Sequence, residues 1–421
     1  MRFLYSLAWW LALPLVVARL WWRGRKEPGY RAHWAERFGF YRGSAPRQRM
    51  IWLHAVSVGE TRAAEPLVTA LLQAYPERDI LLTHMTPTGR ATGQALFAKY
   101  GGRVRQSYLP YDTGWMVGRF LRHFAPRVCI LMETEVWPNV MAQCARRKVP
   151  VALVNARLSE RSLVKAQRLS ALMKEAARAF SCVAAQTDAD ARRLRQFGAP
   201  NVHVTGSIKF DVTPDEAMLA RGERLRAQIG TRPVLLCAST REGEEALILD
   251  ALPAVDMADA LIVIVPRHPQ RFDEVARLIE AHGLSLCRKS MLGDAPVPTE
   301  IRVLLGDSMG EMFAYYAACD LAFIGGSLLP LGGQNLIEAC ALGKPVLIGP
   351  HTFNFATVSE DAIAAGAALR VADAGAMLRE AARLLHAEHE RLVMGVSAEA
   401  FARQHRGATQ RTMKLLKPLL D

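Results

Sequence analysis

From residue 50 onward, short uninterrupted apolar runs alternate with longer stretches whose apolar positions return at helical spacing. In the first half the runs are Ile51–Leu53, Ile80–Thr83, Val128–Met132, Val151–Asn155, Val183–Gln186 and His203–Thr205. The series restarts with Val234–Ala238, Leu261–Val265, Val303–Leu305, Leu321–Ile324 and Val346–Ile348. Runs without apolar–polar alternation suit parallel strands covered on both faces. Strand–helix alternation in two blocks predicts an α/β protein of two Rossmann-like, doubly wound domains. The boundary falls between Thr205 and Arg232, where the pattern passes through Gly206-Ser207-Ile208-Lys209-Phe210-Asp211 and a polar helix to Pro233. We place the first domain at 27–210 and the second at 211–421. A last helical stretch, about 388–419, is free to pack back on the first domain. Two such domains facing a central cleft would direct the C-terminal ends of their strands into it, where open sheets bind ligands.

Residues 1–26 follow a different pattern. Phe3 to Ala18 carries no charge and would reach roughly 24 Å as a helix, short of a hydrocarbon core of about 30 Å. Trp9, Trp10, Trp21 and Trp22 punctuate or flank it, and Arg19, Arg23, Arg25 and Lys26 follow. A short span with snorkelling arginines and a helix lying in the headgroup layer both fit this pattern. A cleaved leader fits less well, because the basic charge comes after the apolar run and no small-residue cleavage site follows. Basic charge on that side also favours a cytoplasmic body.

Composition adds three points. At 421 residues, with 51% apolar positions, the chain has material for two cores. The net charge of +13 is largely local, since residues 1–50 hold ten Lys and Arg against Glu27 and Glu36. That location, with no recognisable binding module, argues against a nucleic-acid binder. The seven cysteines form no C-x-x-C pair, and Cys129, Cys182 and Cys237 lie in apolar runs, so they read as buried thiols in a reducing compartment.

Candidate chemistry gathers in the turns after strands. His54-Ala55-Val56-Ser57-Val58-Gly59-Glu60-Thr61 opens a helix, and a carboxylate such as Glu60 facing a cleft can take a proton from a sugar hydroxyl; a first-turn Glu is also favoured by the helix dipole alone. Met132-Glu133-Thr134-Glu135-Val136-Trp137-Pro138 places two carboxylates straight after a buried strand, which is costly unless they have partners. Lys209, at the expected hinge, is within reach of a phosphate or carboxylate, or is a solvated linker lysine. In the second half, Pro266 and Arg267 end an apolar strand, and the guanidinium suits an anionic leaving group. Gly306-Asp307-Ser308-Met309-Gly310-Glu311 and the glycine-rich run from Gly325 through Asn335-Leu336-Ile337-Glu338 each lead into a helix. Together they point to a nucleotide.

Several motifs fail. Gly343-Lys344-Pro345 is not a P-loop, and no G-x-G-x-x-G follows a strand. Asp188-Ala189-Asp190, beside Thr187, reads as a helix cap before a metal site. Ser239-Thr240-Arg241-Glu242 reads as a capping box.

Taken in order, Arg23–Lys26, His54–Glu60, Met85–Gly89, Tyr108–Asp112, Met132–Asn139, Asn155–Ser159, Gly206–Asp211, Pro266–Pro269, Gly325–Glu338 and Gly349–Phe355 resemble the 3-deoxy-D-manno-octulosonic acid (Kdo) transferases of lipopolysaccharide assembly. The resemblance spans nearly the whole chain. It implies an inverting, metal-independent glycosyltransferase of the two-Rossmann GT-B type on the cytoplasmic side of the inner membrane. It further implies CMP-Kdo as donor, the tetraacylated disaccharide precursor of lipid A as acceptor, and no cofactor. By the same resemblance Glu60 is the base, Glu133 and Lys209 stabilise the transition state, and Pro266, Arg267, Met309, Gly310, Glu311, Asn335, Leu336, Ile337 and Glu338 contact CMP. The alternative is another GT-B nucleotide-sugar transferase or an epimerase, which would share the fold and the nucleotide turns.

Overall fold

Seven parallel strands make the first sheet: β1 (Ile51–His54), β2 (Ile80–His84), β3 (Val104–Tyr108), β4 (Val128–Met132), β5 (Val151–Ala156), β6 (Cys182–Ala185) and β7 (Val202–Val204). They lie in the order β3-β2-β1-β4-β5-β6-β7. The chain winds outward from β1 through β2 to β3, then returns to β4 and winds the other way. The point of reversal lies between β1 and β4, which pair in parallel from Ile51↔Val128 to His54↔Leu131. The structure, a computed structural model, describes residues 2–41, 50–160, 162–164, 170–211 and 216–421. Residues 212–215, inside the interval expected for the domain boundary, lie outside these.

The second sheet is also parallel. It contains β8 (Val234–Thr240), β9 (Leu261–Pro266), β10 (Leu286–Arg288), β11 (Val303–Leu305), β12 (Leu321–Ile324), β13 (Val346–Ile348) and β14 (Ala368–Arg370). Their order is β10-β11-β9-β8-β12-β13-β14, with the reversal between β8 and β12. The chain divides into one unit of Met1–Asp211 with Arg406–Asp421 and another of Val212–His405.

All but one of the expected apolar runs fall on the inner strands of the two sheets, the exception being His203–Thr205, which overlaps the edge strand β7; β1, β2, β4, β5, β9 and β12 are buried at every position. Helices cover both faces, so these strands are apolar except where a buried polar side chain finds a hydrogen-bond partner, as His54 does in Thr83 and Asn155 in the Ile208 N–H. Side-chain caps start several helices: Thr113 accepts from the Met116 N–H, and Thr187 from the Asp190 N–H. Asp112, fully buried, caps helix Pro138–Arg146 by accepting the N–H groups of Asn139 at 3.0 Å and Val140 at 2.9 Å.

Helix Ala408–Leu420 completes the first unit. Its start is tied to Asp211 through the Gly407 N–H at 2.6 Å, and the Leu420 carbonyl accepts from Arg78 at 2.6 Å and Arg127 at 2.9 Å. Leu416 and Leu420 join the core beside Leu67, Val68 and Leu71.

The N-terminal helix, Arg2–Lys26, belongs to the same unit. Leu13 and Leu20, with the half-buried Trp9 and Val16, pack on Tyr30, Tyr111 and Met116. Contacts run along the helix from Ser6, bonded to Asn139 at 3.0 Å, to Arg23, stacked over Tyr30. The opposite stripe, with Phe3, Leu7, Leu11, Leu15 and Trp22, is exposed, Leu15 to 75%. This helix is long and apolar enough to cross a membrane by length and composition.

Candidate active site

In the first unit the expected residues come together at the C-terminal edge of the sheet, at the point of reversal. Glu60 lies in the first turn of helix Val58–Ala63, which follows β1. Its carboxylate turns back to accept the Val56 N–H at 2.7 Å, with the Ser57 hydroxyl at 3.5 Å. This satisfies a helix-entry donor in the manner of a capping box. Burial raises the Glu60 carboxyl, the Val56 bond opposes it, and the charges of Glu135 and Glu133 raise it further, to about 7. A Cβ on Gly59 would meet nothing nearer than Ser57 Oγ at 3.9 Å, so packing does not demand glycine there.

Glu133 follows β4 directly and is 5% exposed. Its two oxygens have separate cationic partners: Lys209 Nζ lies 3.0 Å from Oε1, and Arg157 Nε lies 3.0 Å from Oε2. This supplies the partners that a carboxylate in such a place requires. Glu133 adopts a left-handed backbone (φ 57), which costs about 1–3 kcal/mol for a residue with a Cβ and gathers at functional sites. The strain is held by neighbours, since the Glu133 N–H donates to the Val154 carbonyl at 3.0 Å and the Arg157 N–H to the Glu133 carbonyl at 3.3 Å. The two glutamates of the turn therefore diverge. Glu133 is committed to the cations, while Glu135, half-buried and itself raised chiefly by burial, acts on Glu60 by its charge. Lys209 sits on a short 3-10 turn, Ile208–Asp211. Arg157 received no role from the sequence, although a basic residue just past a buried strand is the same signal that marked Glu133.

In the second unit, the nine remaining candidates lie at or after the C-terminal ends of β9, β11 and β12, on one edge of the parallel sheet. Pro266 ends β9 opposite Thr240, and the Arg267 N–H donates to the Thr240 carbonyl at 2.9 Å. His268, lowered first by burial, is also lowered by the charges of Arg241, Arg267 and Arg271, so three guanidinium groups gather here. Arg271 is committed to the buried Glu245 at 2.8 Å. After β11, Met309 is exposed and Gly310 takes φ 83. Glu311 ends the turn as the N-cap of helix Met312–Ala318, pairs with Arg221 at 2.9 Å and accepts from Ser308. After β12, Asn335 accepts the Ile337 N–H and donates to Glu338 Oε1, both at 3.1 Å, over the buried Leu336 and Ile337. The helix that follows is short, Ile337–Ala341.

A fully buried carboxylate that the sequence reading passed over organises the glycine-rich turn. Glu244 accepts the N–H groups of Arg241 at 2.9 Å, Gly326 at 2.5 Å and Leu328 at 2.9 Å, joining the ends of β8 and β12. Gly325 is required there, because a Cβ would lie 2.6 Å from the Thr240 Cα. The capping box expected at Ser239-Thr240-Arg241-Glu242 is not formed. Ser239 and Thr240 remain in β8, the following helix Glu244–Ala251 starts after Gly243, and Thr240 donates to Glu245 at 2.7 Å. Continuation of the strand pairing to Pro266 outcompetes the local cap. At Asp188-Ala189-Asp190 the helix-cap reading holds: Asp190 bonds Thr187, the Leu158 N–H and Arg193.

Comparison with known proteins adds to this geometry. Residues 32–212 match the family described as 3-Deoxy-D-manno-octulosonic-acid transferase (kdotransferase). The 3-deoxy-D-manno-octulosonic acid transferase of Bordetella pertussis is 48% identical over 430 residues, covering 100% of this chain and 99% of the relative. That of Haemophilus influenzae is 37% identical over 428 residues, with the same coverage of 100% and 99%. Among solved structures, the UDP-GlcNAc 2-epimerase from Neisseria meningitidis bound to UDP-GlcNAc matches with a TM-score of 0.59 at 16% identity, over 88% of this chain and 100% of that one, a likeness of fold. Identity of this extent from end to end establishes that the chain belongs to the family of the 3-deoxy-D-manno-octulosonic acid transferases and is a glycosyltransferase.

Proposed function

We propose that the protein transfers Kdo from CMP-Kdo to the tetraacylated disaccharide precursor of lipid A, with inversion and without a metal. The observation that carries this reading is Glu60, a half-buried carboxylate raised to about 7 beside the Glu133–Lys209 pair. A base of that strength takes a proton best near neutral pH. Glu60 removes the proton of the attacking acceptor hydroxyl as its oxygen bonds to the anomeric carbon of Kdo. The bond from that carbon to the CMP phosphate breaks, and the electron pair leaves with CMP. Lys209, held by Glu133, supplies fixed positive charge where negative charge develops. In the second unit, Arg267 and the turns carrying Met309–Glu311 and Asn335–Glu338 hold CMP, and the local guanidinium charge favours its phosphate.

The same reading attaches the protein to the cytoplasmic face of the inner membrane. The N-terminal helix supports an interfacial placement, because one stripe packs on the first unit along its length while the other is apolar and exposed. Arg19, Arg23 and Arg25 on the exposed surface suit anionic headgroups and the acceptor's phosphates.

Purified protein incubated with CMP-Kdo and the acceptor in the presence of a chelator tests this proposal. Mass spectrometry should show the acceptor heavier by Kdo. Transfer from UDP-sugars in place of CMP-Kdo, or loss of transfer on chelation that added metal restores, would overturn the donor or the metal-independent reading respectively.

A further inference from the structure

Asn155, next to last in β5, is fully buried and in the left-handed region, with φ 52. Its Oδ1 accepts the Ile208 N–H at 3.2 Å, and its own carbonyl accepts from Gln186 Nε2 at 2.8 Å. Ile208 immediately precedes Lys209, whose ammonium lies 3.0 Å from Glu133. On its other side, the residues flanking Asn155 grip the strained backbone of Glu133, through the Val154 carbonyl and the Arg157 N–H. One amide side chain thus links the strand end that holds Glu133 to the turn that carries Lys209. Asparagine suits the place for two separate reasons. It tolerates the left-handed backbone better than most residues with a Cβ. It also presents a neutral acceptor where an aspartate would add a second carboxylate beside Glu133.

We infer that Asn155 is a positioning residue for sugar transfer, whose amide oxygen fixes the place of Lys209 against Glu133 by holding the Ile208 N–H. The inference rests on the proposed role of Lys209 in the transition state. A misplacement of about 1 Å in such a group costs on the order of 10²-fold in rate.

The test is a double-mutant cycle on the full-length protein, with CMP-Kdo as donor and the lipid A precursor as acceptor. Asn155→Gly keeps the backbone conformation and removes the side chain, and with it the acceptor of the Ile208 N–H. It should lower kcat by about 10²-fold while CMP affinity stays within about twofold. In a Lys209→Ala background the same substitution should cost less than about twofold, because the group it positions is gone. An equal cost of Asn155→Gly in both backgrounds would overturn the inference alone. Full activity of Lys209→Ala would overturn the reading beneath it, and the inference with it.

Discussion

Glu60 shows how a residue can serve the fold and the chemistry at once. Its bond to the Val56 N–H closes the start of a helix, yet burial and two neighbouring carboxylates keep its proton to about pH 7. The ionised form is the base, so kcat/KM should fall as pH drops below about 7. His54 and His84 do not supply that limb, since burial first of all holds them down to about 3 and about 4. Glu135→Gln removes one of the charges that raise Glu60 and should move the limb to lower pH; an unmoved limb in the pH–rate profile would refute the coupling. Glu60→Gln should lower kcat by about 10²–10⁴-fold with CMP affinity nearly unchanged. The stability effect has the opposite sign. The folded state holds this proton more tightly than the unfolded chain, so Glu60 contributes most below about 4.5 and that contribution is lost as pH rises through about 7. Glu60→Gln should therefore melt above the parent at pH 8 and level with it near pH 4.5. The candidacy of Glu60 and Glu133 was legible because each is a carboxylate just past a buried strand. The pairing of Glu133 with Lys209 was not, since the two are distant in the chain and meet only through β5 and the turn after β7.

At the scale of elements, the strands absent from the expected set are β3, β10 and β14, and all three are sheet edges. An edge strand has one neighbour and partly exposed faces, so it needs no continuous apolar run. β3 reads Val-Arg-Gln-Ser-Tyr, with only Ser107 and Tyr108 buried. Inner strands, paired on both sides and covered on both faces, announce themselves by composition. Helix entry depends on contacts from farther away. Asp112, distant in sequence, supplies the carboxylate for helix Pro138–Arg146, whose entry turn carries Glu133 and Glu135. Asp112→Ala should lower unfolding free energy by about 1–3 kcal/mol and reduce kcat as well. A denaturant titration unchanged in midpoint would show that other groups satisfy these two N–H donors.

For the whole molecule, the N-terminal helix is apolar on two sides for two reasons, and its sequence alone does not separate them. Leu13 faces the protein, whereas Leu11 and Leu15 face outward. Leu13→Ala should destabilise the first unit by about 2–5 kcal/mol. The pair Leu11→Glu and Leu15→Glu should leave the melting temperature unchanged and weaken binding to anionic vesicles by at least about tenfold. Flotation with such vesicles checks this, and unchanged binding would remove the helix from the membrane contact. Because arginines flank the exposed stripe, added salt should weaken the parent's binding.

The sequence by itself determined the class of the fold, the inner strands of both sheets and the candidacy of the turns after them. Burial on both faces dictates composition locally, and carboxylates or arginines at strand ends are conspicuous against it. Tertiary structure alone decided the strand order, the return of helix Ala408–Leu420 to the first unit, the inward face of the N-terminal helix and the Glu133–Lys209–Arg157 cluster. Each of these is a pairing between residues far apart in the chain. Such pairings are set by which surfaces remain to be covered once the local elements exist, and no short window of sequence records that.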